Sequence, residues 1–228
     1  MKRKTSLLEF RRKIRNKLAE IKISKLTKKY RNFSMIPENV FKDNLKLCYE
    51  LRFRKGCIVE CGVWKGGMSA AMIELMGTDR DIYLFDSFEG LPPATEDDGL
   101  TAIEHQKNIT GTDYFDNCTA EISYAKTAMT MANAQNSHLI KGWFSDTLSG
   151  FHFKSEIIIL RLDGDWYDST MQCLDNLYDK VTPGGLIIID DYHFWDGCTK
   201  AVHDFVSKRK IPIRIKETKN GVCYFYKY

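Results

Sequence analysis

Residues 57–69 read Cys57-Ile-Val-Glu60-Cys61-Gly62-Val-Trp64-Lys-Gly66-Gly67-Met-Ser69. The first four residues are apolar up to an acid at the end, a pattern typical of a short buried strand. Glycines follow, and a helix is predicted over 69–76. A strand that turns directly into a helix is half of the βαβ unit from which parallel sheets are built. We therefore expect an α/β domain that contains this unit.

The same alternation of strands and helices continues on both sides of this unit. We predict strands at 57–60, 82–86, 138–141, 156–162 and 186–189, and helices at 40–52, 69–76, 119–134, 169–178 and 199–207. Two further strands, 213–215 and 222–226, flank an Asn220-Gly221 turn, which favours an antiparallel pair. The fold class is thus α/β, with a doubly wound, mostly parallel sheet and an antiparallel C-terminal strand. Such sheets bind ligands at the carboxyl ends of their strands.

The composition excludes several classes of protein. The 228 residues are 43% hydrophobic and 28% charged, as in an ordinary globular protein. No apolar run approaches the ~18 residues that a membrane-spanning helix needs. The seven cysteines form no Cys-x-x-Cys pair, so neither a zinc site nor a disulfide framework is expected. The chain is predicted to reside in a reducing compartment, the cytoplasm.

The positive charge is concentrated in the first residues. Residues 1–30 hold twelve Lys and Arg against two Glu, a net +10, whereas the rest of the chain carries −6. Apolar residues recur there at helical spacing, at Leu7, Ile14, Leu18 and Ile21. We therefore predict a basic amphipathic helical leader over 1–35, followed by the folded domain over 36–228. Residues 1–30 suit peripheral contact with the inner face of a membrane, or the apolar stripe packs on the body or on a second subunit of a homo-oligomer. Nucleic acid is the weakest of the possible partners, because no aromatic-rich RNA motif accompanies the basic residues.

Two acids at strand ends indicate a cofactor site. Glu60 ends the first strand and the glycine turn at Gly62 follows it, while Asp86 ends the second strand 24 residues after Gly62. Neither a Gly-x-Gly-x-x-Gly fingerprint nor a Gly-Lys-Ser/Thr loop is present, so no pyrophosphate cradle is expected. The arrangement suits an adenosine-type cofactor that carries a cationic amino group, with Asp86 at the ribose hydroxyls. The alternatives are a structural turn at Gly62 and a cap at Ser87.

Four aspartates follow two later strands. Asp163 and Asp165 come after the strand at 156–162, and Asp190 and Asp191 come after the strand at 186–189. Like charges that meet at one sheet edge repel unless a cation neutralises them or a proton is shared. Mg²⁺, or another hard divalent cation, is the natural partner of clustered carboxylates. The alternative is that these acids cap helices.

Five ordered motifs resemble the macrocin O-methyltransferase family. They are Val59-Glu-Cys-Gly-Val-Trp-Lys-Gly-Gly-Met-Ser69, Phe85-Asp-Ser-Phe-Glu-Gly-Leu-Pro-Pro93, Lys141-Gly-Trp-Phe-Ser-Asp-Thr-Leu148, Leu162-Asp-Gly-Asp-Trp-Tyr-Asp-Ser-Thr170 and Pro183-Gly-Gly-Leu-Ile-Ile-Ile-Asp-Asp-Tyr192. The likeness spans residues 36–228 and departs from the family pattern mainly over 94–136. It implies a Rossmann-like methyltransferase that uses S-adenosylmethionine to methylate sugar hydroxyls.

The resemblance also implies roles for particular residues. The cofactor motifs fall on Glu60, Gly62, Ser69, Asp86 and Ser87, with Trp143 and Phe144 near the adenine. The implied metal ligands are Asp163, Asp190 and Asp191, and Asp165 is the implied base. The expected acceptor is a glycosylated small molecule or a glycan, including a lipid-linked sugar. Two other functions use the same features: a Mg²⁺-dependent phosphohydrolase built on the acids, and a non-catalytic membrane or nucleic-acid adaptor built on the basic leader.

Overall fold

A seven-stranded sheet forms the centre of the molecule. The computed structural model describes the backbone of residues 2–112 and 114–228, and the side chains of residues 12–112 and 114–228. The strands are β1 Cys57–Cys61, β2 Ile82–Asp86, β3 Ser137–Lys141, β4 Ile157–Leu162, β5 Val181–Ile189, β6 Lys216–Glu217 and β7 Cys223–Tyr226. Their order across the sheet is β3-β2-β1-β4-β5-β7-β6, and β7 runs antiparallel to both of its neighbours while the other pairs are parallel. The predicted fold class is confirmed.

Helices cover both faces of this sheet. They are α1 Lys2–Lys29, α2 Glu38–Glu50, α3 Gly67–Met76, α4 Gly99–Lys107, α5 Ile122–Met131, α6 Phe144–Thr147, α7 Tyr167–Leu177 and α8 Asp196–Arg209. Side chains of α1, α2, α3 and α5 share one hydrophobic core with one face of the sheet, and those of α7 and α8 share a second core with the other face. Two cores on opposite faces explain why β1 and β4 are buried along their whole length.

Two details of the predicted strands were wrong. The turn expected at Thr182–Gly185 lies inside β5, because Val181 pairs with Ile157 and the ladder resumes where Leu186 pairs with Ile159. The extra residues form an irregularity that leaves the strand continuous. The strand expected at 213–215 is absent from the described structure: Ile213 and Ile215 pack against the second core, and only Lys216–Glu217 pair with β7. Their apolar pattern reflected burial without strand pairing.

Helix α1 contacts the body through its C-terminal part. Ile23, Leu26 and Tyr30 are almost fully buried in the first core. The Tyr30 hydroxyl donates to Glu74 Oε2 at 2.5 Å, and Lys29 Nζ lies 2.6 Å from the same oxygen. These contacts join α1 to α3. Within the described part of the chain, no helix is both long enough and apolar enough to cross a membrane.

The predicted leader stripe lies on a different face from these contacts. Ile14, Leu18 and Ile21 are exposed, and Leu7 lies outside the residues whose side chains are described. The expectation that this stripe packs on the body is therefore wrong for its described members. The body instead takes up a second apolar face of the helix, which helical spacing alone did not separate from the first.

The long connection after β2 wraps one side of the sheet edge. Asn117 ties it together: its backbone carbonyl accepts from Leu91 N at 3.0 Å, and its side-chain amide donates to the Leu91 carbonyl at 2.8 Å. The Gln106 side chain donates to the Pro92 carbonyl at 2.8 Å and accepts from Ala94 N at 2.7 Å. This bonding places the connection as a wall beside the carboxyl ends of the strands.

Candidate active site

A cavity of about 470 Å³ opens at the carboxyl ends of β1, β2, β4 and β5. Nine of the eleven residues that the sequence singled out line it: Gly62, Asp86, Ser87, Trp143, Phe144, Asp163, Asp165, Asp190 and Asp191. Its walls include apolar side chains from the connection after β2 and from the segment before α2. A volume in this range accommodates a drug-sized ligand. The topology thus brings most of the predicted site together.

Three carboxylates meet at one end of the cavity. Oxygens of Asp163, Asp190 and Asp191 lie within 4.8 Å of one another. The two motifs are held together by the backbone, since Asp190 N donates to the Leu162 carbonyl at 2.9 Å. Burial raises the pKa of Asp163 and of Asp191 well above the usual range, and neighbouring carboxylates raise it further. These are the ligand type and the electrostatic need that a hard divalent cation satisfies.

The sequence pattern did not reveal the role of Arg161, which lies behind these acids. Its side chain is fully buried, and Nη1 lies 2.7 Å from Glu60 Oε1 and 2.7 Å from Asp163 Oδ2. Nη2 lies 2.7 Å from Asp190 Oδ1, although these two atoms do not meet hydrogen-bond geometry. Nε donates to Asn44 Oδ1 at 3.2 Å. An arginine inside the apolar run of β4 was the available signal, because a buried guanidinium requires acidic partners.

The Asp190 oxygen provides a test of whether a cation fits. Its Oδ1 is buried and lies 2.7 Å from Arg161 Nη2, but no aligned hydrogen bond satisfies it. One oxygen from each of the three aspartates lies within 4.8 Å of the others, and oxygen ligands grouped in this way are the set that a hard divalent cation takes. The residues present therefore fit a divalent cation held by Asp163, Asp190 and Asp191.

Asp165 lies beside this cluster in a constrained conformation. Its backbone has φ = 57°, a left-handed conformation that few residues other than glycine adopt. Asp165 N donates to Asp191 Oδ2 at 3.0 Å, and the Trp195 indole N–H donates to Asp165 Oδ1 at 2.8 Å. Burial raises the pKa of the Asp165 carboxyl to about 7. A carboxylate with a pKa near neutrality suits proton transfer.

Asp86 organises the turn after β1. Its Oδ2 accepts hydrogen bonds from Val63 N at 2.6 Å and Trp64 N at 2.8 Å, and its Oδ1 accepts from Phe88 N at 2.6 Å. Burial raises its pKa more than these three bonds lower it. The carboxylate lines the cavity, and Oδ1, which accepts a single hydrogen bond, has a further lone pair for a ligand hydroxyl.

Ser87 closes its own turn by accepting from Glu89 N and donating to the Gly90 carbonyl. Both bonds are local, and they fit the alternative in which Asp86 caps the next segment through Ser87. It also lines the cavity beside Asp86.

Gly62 permits a close approach of two strand ends. It has φ = +86°, and a Cβ atom built there would lie 1.7 Å from the Asp163 carbonyl oxygen. The absent side chain makes room for the backbone of the neighbouring acidic motif, which brings Asp163 to the cavity.

Glu60 and Ser69 do not line the cavity. Both are buried. The Ser69 hydroxyl donates to Glu60 Oε2, and Glu60 Oε1 pairs with Arg161. The structure therefore groups these two predicted cofactor residues with the Arg161 guanidinium, which lies behind the acids. They lie one layer away from the cavity surface.

The aromatic side chains at this edge divide into two kinds. Trp143 is exposed and Phe144 is partly buried, and both line the cavity next to Gly142, as expected for residues near a planar ring. Trp166 is buried and donates its indole N–H to the Pro92 carbonyl at 2.8 Å.

His193 faces Cys223, with Nε2 at 3.1 Å from Sγ, and is not among the residues that line the cavity.

Comparison with known families gives a match over most of the chain. Residues 22–227 match the model of the family described as Macrocin-O-methyltransferase (TylF). The match begins inside α1, within the predicted leader. The part of α1 that packs on the body thus lies within the matched region.

Two curated relatives are similar in sequence. The 8-demethyl-8-(2,3-dimethoxy-alpha-L-rhamnosyl)-tetracenomycin-C 4'-O-methyltransferase of Streptomyces olivaceus is 33% identical over 203 residues, which cover 82% of this chain and 72% of that enzyme. The mycinamicin III 3''-O-methyltransferase of Micromonospora griseorubida is 31% identical over 193 residues, which cover 80% of this chain and 74% of that enzyme.

Solved structures show the same architecture. The O-methyltransferase NovP superposes with a TM-score of 0.72 at 26% identity, covering 86% of this chain and 82% of NovP. The calicheamicin methyltransferase CalS11 superposes with a TM-score of 0.65 at 19% identity, covering 90% of this chain and 91% of that chain, and supports the fold alone. Both superpositions support the same overall fold.

Proposed function

The chain belongs to the macrocin O-methyltransferase family, and from this premise we propose that it transfers the methyl group of S-adenosylmethionine to a sugar hydroxyl held on a divalent metal ion. One observation carries the proposal: three carboxylates with oxygens within 4.8 Å of one another border a cavity at the carboxyl ends of the strands. A phosphohydrolase or an adaptor does not account for the family match.

The metal ligands of the proposal are Asp163, Asp190 and Asp191. A divalent cation bound there would act as a Lewis acid that lowers the pKa of a neighbouring sugar hydroxyl. Arg161 holds Asp163 and Asp190 from behind with contacts of 2.7 Å, so the ligands are positioned before any cation arrives. Glu60 and Ser69 position Arg161 in turn, and this is the role we assign to them.

Asp165 is the proposed base. Its carboxylate accepts the proton that the sugar hydroxyl releases while the new O–CH₃ bond forms and the S–CH₃ bond of the donor breaks. Trp195 fixes the carboxylate through Oδ1. Because Mg²⁺ acidifies a hydroxyl less strongly than zinc does, a base with a pKa near neutrality contributes to the rate. Orientation of the reacting atoms supplies much of the remaining catalysis.

The donor is proposed to occupy the part of the cavity between Gly62, Asp86 and Trp143. Asp86 follows β2, where doubly wound folds place the carboxylate that binds ribose hydroxyls. Trp143 and Phe144 supply planar apolar surface for the adenine. In this proposal the methyl group of the donor points to the side of the cavity that holds the aspartates.

The acceptor is proposed to be a glycosylated small molecule or a glycan. One relative is named as the O-methyltransferase of a rhamnosyl compound, and the other as a mycinamicin III 3''-O-methyltransferase. A rhamnoside is therefore the first acceptor to test. The cytoplasmic location stays a prediction.

The test measures methyl transfer to a rhamnosylated acceptor with S-adenosylmethionine, with Mg²⁺ and with excess chelator. We expect activity with Mg²⁺ and loss of at least about a hundredfold with chelator or in Asp191→Asn. The matched control is Asp175→Asn, an exposed aspartate on α7, which should keep full activity. Full activity of the parent protein in excess chelator would falsify the metal role. Lack of any product in every condition would reject the acceptor class.

A further inference from the structure

Helix α1 has two apolar faces that point in opposite directions. Ile23 and Leu26 face the body and are buried. Ile14 precedes Ile23 by nine residues, which is two and a half helical turns, so it projects from the opposite side. Leu18 and Ile21 lie within about 40° of Ile14 on that outer side at 100° per residue. We call these three residues, Ile14, Leu18 and Ile21, the outer stripe.

The outer stripe is exposed although it is apolar. Ile14 is 44% exposed, Leu18 61% and Ile21 44%. Residues 12–18 are exposed on every side of the helix, so this part of α1 extends away from the body. A row of large aliphatic side chains in this position usually has a partner, since single exposed apolar residues are common but contiguous ones are not.

Charge indicates which partner fits. Lys17, Lys25 and Lys28 are exposed next to the outer stripe, and residues 1–30 as a whole carry a net +10. Pairing with the same helix of a second copy would bring two such charges together at the distance of a helix–helix contact, which is repulsive. A surface of negative charge with an apolar interior satisfies both the lysines and the aliphatic side chains.

We propose that the outer stripe of α1 docks this enzyme on the surface of an anionic lipid bilayer. Ile14, Leu18 and Ile21 enter the boundary between headgroups and acyl chains, and the flanking lysines contact anionic headgroups. Because the opposite face of α1 is joined to the body through Tyr30 and Glu74, the folded domain is held at the bilayer surface. This is a surface attachment, and it is separate from the methyl transfer proposed above.

The test is flotation of the full chain with vesicles of phosphatidylcholine, with and without phosphatidylglycerol, at low and high salt. We expect binding that requires phosphatidylglycerol and weakens in high salt. The double variant Ile14→Ala and Leu18→Ala keeps helix propensity and charge while it removes apolar surface, and it should reduce partitioning by about tenfold or more. The control is Phe53→Ala, which removes a side chain that is 83% exposed elsewhere on the body and should bind like the parent.

Three results would overturn the proposal. One is equal partitioning of the parent and the double variant into anionic vesicles. Another is no binding to those vesicles at low salt. The third is a dimer in light scattering that the double variant abolishes, which would assign the outer stripe to a second copy. Methyl transfer to a glycoside free in solution should be the same in both proteins, so failure of docking is distinguishable from failure of the enzymatic proposal.

Discussion

The indole N–H of Trp195 donates a hydrogen bond of 2.8 Å to Oδ1 of Asp165. Trp195 precedes α8, whereas Asp165 follows β4, so two separate segments build the proposed base. The bond lowers the pKa of a carboxyl that burial raises to about 7. Trp195 is thus a positioning residue that orients Asp165 and favours its ionised form.

Removing this donor should move the pH dependence of methyl transfer. In Trp195→Phe the carboxylate loses a hydrogen bond, a loss of about 1.5 kcal/mol for a charged acceptor, so the pKa of Asp165 should rise by about one unit. The acidic limb of the rate–pH profile should therefore shift to higher pH by the same amount. Trp166→Phe is the control, since its indole bonds to the Pro92 carbonyl and not to a titrating group. Identical rate–pH profiles for the two variants would show that Trp195 does not influence the pKa of the base.

The stability of the metal-free protein should depend on the Asp165 proton. Its folded pKa is about 7, while an unfolded aspartate titrates near about 3.9. Between about pH 5 and pH 6.5 the folded chain therefore holds a proton that the unfolded chain has released. The free energy of unfolding should fall by up to about 1.4 kcal/mol per pH unit as the pH rises.

Asp165→Asn should make this slope shallower, because the titrating group is gone. Urea unfolding at a series of pH values in chelator measures the slope, and Asp175→Asn should leave it unchanged. If Asp165→Asn unfolds with the same slope as the parent, the carboxyl titrates normally in the folded protein.

Arg161 should matter for stability more than any surface arginine. Arg161→Met leaves Glu60, Asp163 and Asp190 without their buried cation, and breaking such a network costs about 3–5 kcal/mol. Arg209→Met breaks an exposed pair with Asp179 and should cost less than about 1 kcal/mol. Thermal or urea unfolding distinguishes the two.

Added Mg²⁺ should stabilise Arg161→Met more than the parent. In the variant the acids have lost the guanidinium that neutralised them, and a bound Mg²⁺ replaces its charge. Arg161→Lys keeps the charge without the planar fork and should fall between the parent and the methionine variant. If Mg²⁺ stabilises the parent and Arg161→Met equally, Arg161 does not influence the proposed metal ligands.

Gly62 should not tolerate a side chain. In Gly62→Ala the Cβ would meet the Asp163 carbonyl at 1.7 Å in a left-handed conformation, so strain and displacement should cost at least about 2 kcal/mol. Gly150→Ala is the matched control, because Gly150 has φ = +68° and a Cβ atom added there would meet nothing within 4 Å. It should cost only about 1 kcal/mol. Urea unfolding measures both losses, and equal values would mean that the backbone of Asp163 moves freely.

Several parts of the site could be predicted from the order of residues alone. Parallel strands end at one edge of the sheet, so acids that follow β2, β4 and β5 had to meet there, and Asp86, Asp163 and Asp190 do line one cavity. Glu60 follows the same rule but points into the buried layer, where Arg161 holds it. Which face of a strand end a side chain occupies depends on neighbours that the local pattern does not reveal.

Local patterns were enough to specify the strand–turn–helix at residues 57–69, the alternation of the five parallel strands with their main helices, and the acids at the strand ends, because these depend on periodicity and on short turns. Three features emerged only when the chain was folded: Arg161 joins the acids, Gly62 accommodates the Asp163 backbone, and α1 turns Ile23 rather than Ile14 toward the body. Each depends on side chains or backbone that meet only in the packed molecule. Packing chooses among faces and partners that a local pattern leaves equivalent.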